Sequence, residues 1–266
     1  LAGSPIIDVR TDFNSFLPKN LSNKIQEKAI KYYISQLKKN PSSHDKVEFD
    51  IIETCYDFNS KDKLKLFLKP KEIKSYLDNL RDLTNNILDK KNHILNKEIN
   101  KLYDLEKKLK NLNKANISEI QKIYFIVEDC KKFGSLPFAG IARVAFIYTK
   151  LIKTLKKNKY ISERDYEVFY ENCETVTNKM NIALSKIKNN QKKKYNFFKE
   201  YGHLRPLTYS ITSKNYKENF YNYFSKIPNM KFKKKKKFLL DLLKQKKINI
   251  LFKKNKLNNN YKIFFE

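Results

Sequence analysis

The chain has 266 residues, 52 of them Lys and only 5 Arg, with a formal net charge of +29. Hydrophobic residues make up 41%, enough to bury a core and exclude wholesale disorder, and four Gly and seven Pro exclude a collagen-like or linker-dominated chain. Cys55, Cys130 and Cys173 form no zinc spacing and no redox pair, and this odd, sparse set points to a reducing cytoplasm.

In chain order, residues 1–19 hold the turn residues Asn14, Ser15 and Pro18 without a helical period, so a loop or extended arm is expected. Ile25, Ala29, Tyr33 and Leu37 at i, i+4 spacing predict an amphipathic helix over 21–39, stopped by Asn40, Pro41, Ser42 and Ser43. Val47, Phe49 and Ile51 alternate with Glu48 and Asp50, which predicts a strand running through Thr54, with Leu64 to Leu68 pairing back as a hairpin. From Pro70, the residues Ile73, Leu77, Leu80 and Ile87 predict a helix whose pattern continues to Leu112. At roughly 40 residues it is expected to break or fold into a hairpin. Ser118 opens another helix with Gly134 just past its end, and Pro137 opens an Ala-rich helix to about Lys156. Ser162 and Glu163 cap a helix carrying Phe169, Cys173, Val176, Met180, Ala183 and Ile187, which runs on toward Tyr201 and stops at Gly202. Residues 203–230 read as loop-rich, Lys233 to Lys237 as a solvated helix start, and Phe238 to Leu243 as the beginning of a last helix. No run reaches the ~18 apolar residues of a membrane span. The best, Phe138 to Ile152, is interrupted by Arg143 and Lys150. The expected fold is mainly α with a small β element (α+β): a helical bundle-like domain over 1–230, then a basic C-terminal helical tail over 231–266.

The charge first suggests nucleic acid, but its makeup argues otherwise. Lys, Asn, Ile, Tyr and Phe are abundant together and Trp is absent, the signature of an AT-rich coding sequence. A nucleic-acid binder favours Arg, whose planar fork reads phosphates and bases, so nucleic acid is not the expected partner. Against that bias, Gly, Arg, Ala and Pro persist in two segments, FGSLPFAGIARVAF (133–146) and YGHLRP (201–206).

Three segments hold candidate chemistry. In YGHLRPLTYS (201–210), His203 exchanges protons near neutral pH, Arg205 can clamp a carboxylate or phosphate, and Thr208 and Tyr209 add hydroxyl donors. The alternative is a structural loop with a hydrogen-bonded histidine. In the second segment, Ala139, Ala142 and Ala145 allow close helix approach, Gly134 and Ser135 can offer backbone N–H groups to an anion, and Arg143 needs an anionic partner if buried. In NPSSHDKVEFDIIETCYDF (40–58), His44, Glu48 and Asp50 surround the strand start. On a strand Glu48 and Asp50 share a face, which either holds an ammonium group or is simply solvated. No Walker loop, GxGxxG, HExxH, nucleophile elbow or metal spacing is present.

DVRTDFNSFLP (8–18), the 40–58 segment, FGSLPFAGIARVAFI (133–147) and YGHLRPLTYSITS (201–213) together resemble, in order, the phosphoenolpyruvate-synthase-like dikinases, and within them the L-glutamine kinases of capsular phosphoramidate biosynthesis. The resemblance implies the central acceptor domain only. ATP and Mg would bind an ATP-grasp domain that this chain lacks, and a swivelling phosphohistidine domain of the same full-length protein would carry the phosphoryl group to the acceptor. It implies that Arg10, Arg143 and Arg205 hold phosphoryl oxygens or a substrate carboxylate, that Asn14, Glu48, Asp50, Thr208 and Tyr209 complete the substrate site, and that His44 or His203 manages the proton. No cofactor is expected within the chain itself, and no membrane partner. Leu207 and Ser210 depart from the family's Gly and Asp, and the pattern is incomplete at Glu266, so an incomplete, inactive fragment is expected.

Overall fold

Residues 6–89, 94–173, 175–187, 190–206, 212–225 and 238–265 are described by the computed structural model, and all their regular structure is helical. The helices are α1 (Val9–Phe16), α2 (Asn23–Lys39), α3 (Val47–Asp50), α4 (Ser60–Leu64), α5 (Pro70–Leu88), α6 (Ile94–Lys114), α7 (Glu119–Asp129), α8 (Leu136–Lys157), α9 (Glu163–Asn172), α10 (Val176–Ser185), α11 (Gln191–Tyr201), α12 (Phe220–Tyr223), α13 (Leu242–Lys254) and α14 (Tyr261–Phe265). They fall into two compact units, a larger one of Ile7–Ser162 with Leu240–Glu266 and a smaller one centred on Glu163–Leu239. These lines differ from the 1–230 and 231–266 division because α13 and α14 pack in the larger unit. Arg81 and Asn85 of α5 donate to the carbonyls of Asn255 and Lys256 at 3.0 and 2.9 Å, and Phe252 stacks on Phe58.

The larger unit is built on stripes that the helical period creates. Ile25, Ala29 and Tyr33 of α2, Ile73, Tyr76 and Leu80 of α5, and Ile147, Leu151 and Leu155 of α8 are all buried. Tyr33 and Tyr76 bring their hydroxyls to 3.2 Å, so two aromatic bodies fill the core while their polar tips satisfy each other.

Three sequence expectations are corrected here. Residues 9–16 are helical rather than an arm, because the Asp8 side chain accepts from the N–H groups of Arg10 and Thr11 and so caps α1. Gly134 does not end α7, since a π turn over Cys130–Ser135 carries the chain directly into α8. The β element is absent among the described residues: Val47–Asp50 form the single turn α3, Ile51 to Asp57 are an irregular buried segment, and Leu64 closes α4. A strand needs a neighbouring strand for its backbone groups. Here side chains take that place. The Glu53 N–H donates to Tyr33 Oη, the Tyr56 N–H to Thr84 Oγ1, and the Asp57 N–H to Ser60 Oγ, while Lys150 Nζ donates to the Ile52 carbonyl.

The run Glu119–Lys157 is long and apolar enough to cross a membrane by length and composition alone, with 28% of its most apolar window buried. The sequence expectation concerned an unbroken apolar run, and Arg143 and Lys150 interrupt this one. A core helix meets the same criterion, and the second half of α8, with Ile147, Leu151, Ile152 and Leu155 buried, is a core helix.

In the smaller unit the expected long helix is broken into α9, α10 and α11 by side-chain caps. Thr175 Oγ1 accepts from the Asn178 N–H and Asn190 Oδ1 from the Lys193 N–H. Its core gathers Leu184, Ile187, Phe197, Tyr201 and Phe220. Gly202 follows the last residue of α11 as expected, and a Cβ there would run into the Phe198 carbonyl. The segment Lys233 to Lys237 lies outside the described residues.

Candidate functional site

Helices α1 and α2 enclose a polar cleft of about 330 Å³, lined by Arg10, Thr11 and Asn14 from one side and Asn23, Gln26, Glu27 and Ile30 from the other. Each set falls on one helical face, at i, i+1, i+4 on α1 and i, i+3, i+4, i+7 on α2. Ile30 supplies a buried floor. Gln26 Nε2 donates to the Leu21 carbonyl at 2.7 Å, which fixes the amide and leaves its oxygen for another donor. The Arg10 guanidinium and the Glu27 carboxylate stand in the lining with no hydrogen bond or ion pair of their own among the described residues. Asp8, which caps α1, is held below the usual carboxylate range by hydrogen bonds from Thr11 and then Arg10.

The position of α1 is set from below by α8. Arg143 Nη1 donates to the Ser15 carbonyl at 3.0 Å and Nη2 to the Phe16 carbonyl at 2.8 Å. Those carbonyls belong to the last turn of α1, where backbone acceptors lack helical partners and the helix dipole is negative. Burial lowers the Arg143 pKa from its ordinary value, and its buried Nε finds no acceptor among the described residues. Its two outer nitrogens are thus committed to α1, so Arg143 positions the cleft wall.

Two turns further along α8, Lys150 enters a buried ionic cluster. Its ammonium lies 3.1 Å from Glu53 Oε2 and 3.9 Å from Asp57 Oδ2, while Lys63 reaches Glu53 Oε1 at 2.8 Å and Ser60 Oγ donates to Glu53 Oε2 at 2.8 Å. Glu53 is 1% exposed and Lys150 6%. Burial pushes Glu53 up, but the charges of Lys150 and Lys63 outweigh it and hold the carboxyl below its ordinary value. Asp57 moves the other way: burial dominates, and the nearby Glu53 charge adds to it. Burial drives the Cys55 thiol up to about 12, which keeps it protonated and unreactive.

Of the residues expected to form the site, Arg10 and Asn14 share the α1–α2 cleft, and Arg143 acts on it through α1. His44 is exposed, with Nδ1 3.1 Å from the Pro41 carbonyl. Glu48 and Asp50 sit on the helical turn α3 and not on a strand face, so the reason for pairing them is removed. The Glu48 carbonyl accepts from Thr54 Oγ1. His203 and Arg205 belong to the smaller unit, both exposed, in a segment held by the bonds from the N–H groups of Tyr216 and Lys217 to the carbonyls of Leu204 and Gly202. Thr208 and Tyr209, with Leu207 and Ser210, lie outside the described residues. Asn23, Gln26 and Glu27 escaped the sequence reading because they look like the ordinary polar face of α2. Glu53, Asp57 and Lys150 escaped it too, although two acids inside the apolar run IIETCYDF are a legible sign of buried charge. Among the described residues no group of three or more His, Cys, Asp or Glu could hold a metal ion. No protein-family model, curated protein or solved structure matches the chain.

Proposed function

We propose that the larger unit binds the acceptor for phosphoryl transfer from a phosphohistidine, and that the acceptor is an amino acid with a side-chain amide, L-glutamine. The α1–α2 cleft carries this reading. Its lining pairs one guanidinium with one carboxylate and adds three carboxamides, from Asn14, Asn23 and Gln26. Arg10 suits an α-carboxylate through two parallel hydrogen bonds, Glu27 suits an α-ammonium, and carboxamides suit an amide. A volume of about 330 Å³ falls at the small end of ligand pockets, which run to about 1,000 Å³.

The ordered resemblance to the phosphoenolpyruvate-synthase-like dikinases, and to their L-glutamine kinases, supplies the reaction. The glutamine amide nitrogen attacks the phosphorus of the phosphohistidine, the phosphorus–imidazole bond breaks, and the amide gives up a proton. Such transfer depends mainly on positioning and charge stabilisation. ATP-grasp and phosphohistidine domains in one full-length protein, and a cytoplasmic setting, belong to the same proposal.

The test is calorimetric titration of the chain with L-glutamine, L-glutamate and pyruvate. Glutamine should bind best, and Arg10→Lys and Glu27→Gln should each weaken it about ten- to hundred-fold, the loss of one charge-assisted contact of about 1.5–3 kcal/mol. Glutamine affinity unchanged in both variants would overturn the assignment.

A further inference from the structure

The smaller unit has a second cleft, of about 400 Å³, between α10 and α11. From α10 it is lined by Lys179, Ile182, Ala183 and Lys186, and from α11 by Lys193, Asn196, Phe197, Glu200 and Tyr201. Spacing orders these groups along the cleft. Lys186 caps the end of α10 and Lys193 lies in the first turn of α11, so the two flank one mouth. Lys179, seven residues before Lys186, and Glu200, seven after Lys193, flank the other. Ile182, Ala183 and Phe197 line the stretch between. Phe197 and Tyr201 are 2% and 5% exposed, so their rings form a fixed floor anchored in the aromatic cluster with Phe220 and Phe224. The Glu200 carboxylate lies beside the Tyr201 hydroxyl and raises its pKa. The one acidic group is therefore at the far end, and the mouth at Lys186 and Lys193 offers two ammonium groups with no acid in the lining.

We propose that this cleft binds a small organic anion with a flat apolar body, its phosphate or carboxylate between Lys186 and Lys193 and its ring over Phe197. An ammonium pair alone would attract any anion weakly and in a salt-dependent way. The apolar floor makes the site selective, because an attached ring gains from leaving water while the head stays between the charges.

The experiment titrates the full chain with phenyl phosphate and with inorganic phosphate, by calorimetry at physiological ionic strength. Phenyl phosphate should bind at least about tenfold more tightly. The double variant Lys186→Glu/Lys193→Glu should abolish its binding, and Ala183→Trp, which fills the cleft and leaves every charge in place, should do the same. Lys192→Glu/Lys199→Glu, on exposed parts of α11 outside the lining, changes net charge equally and should leave binding unaltered. Equal affinity for the two ligands, undiminished binding in Ala183→Trp, or equal loss in the two charge-reversal variants would each overturn the proposal.

Discussion

Lys150 and Glu53, on α8 and on the irregular segment after α3, meet at 3.1 Å with both side chains shut off from water. Their pairing allows a non-helical segment to cross the core, because Lys150 also donates to the Ile52 carbonyl beside it. Removing one partner leaves the other charge buried, and such losses cost about 3–5 kcal/mol. Glu53→Gln should therefore lower stability to urea by about that amount, and Glu53→Gln/Lys150→Met should recover part of it. A single variant within experimental error of the parent would show that the charges are not confined as described.

The same pair sets a pH dependence. Glu53 has a folded pKa below its ordinary 4.5, so its contribution is present above that value and fades as pH falls through the folded one. Asp57, raised above 3.8 by burial, acts with opposite sign: its contribution is present below 3.8 and is lost as pH rises through its folded value. Lys150 is raised above 10.5, since the attraction of the acidic neighbours, Glu53 first, outweighs burial, so its share persists until strongly alkaline pH. The stability gap between the parent and Glu53→Gln should thus be constant through neutral pH and shrink below about pH 4.5. Urea titrations across the acid range check this, and a gap independent of pH there would contradict it.

Two helix starts were legible from sequence, while the side-chain caps at Asp8, Thr175 and Asn190 were not read as such. Ser118 opens α7 through a reciprocal bond pair with Gln121, and Pro70 opens α5. The 40–58 segment was not legible, because Val47, Phe49 and Ile51 alternate as in a strand while the backbone finds its partners in Tyr33, Ser60, Thr84 and Lys150, side chains far apart in sequence. Arg10 and Asn14 were flagged by a motif. Asn23, Gln26 and Glu27 carry meaning only once α1 is seen to be a helix lying against α2.

Arg143 holds the last two carbonyls of α1, so its loss should act on the cleft at a distance. Arg143→Met should cost about 1.5–3 kcal/mol in stability and weaken glutamine binding, whereas Arg143→Lys should restore much of the stability and little of the affinity, since Lys cannot span both carbonyls in fixed geometry. Thermal melts and calorimetry on the two variants separate these effects.

The three cysteines should react in a fixed order. Cys130 is exposed, Cys173 partly buried, and Cys55 enclosed with its thiol pushed to about 12. A colourimetric disulfide reagent should label Cys130 first and Cys55 only when urea unfolds the chain. Early labelling of Cys55 would mean that the 51–57 segment opens readily.

The most direct test joins this chain to ATP-grasp and phosphohistidine domains in one polypeptide and follows ATP, Mg and L-glutamine by phosphorus NMR. The account predicts a phosphorylated glutamine amide forming together with AMP and phosphate, at a rate reduced about ten- to hundred-fold by Arg10→Lys. Turnover of ATP to AMP with no phosphorylated glutamine, or an Arg10→Lys rate equal to that of the parent, would contradict it.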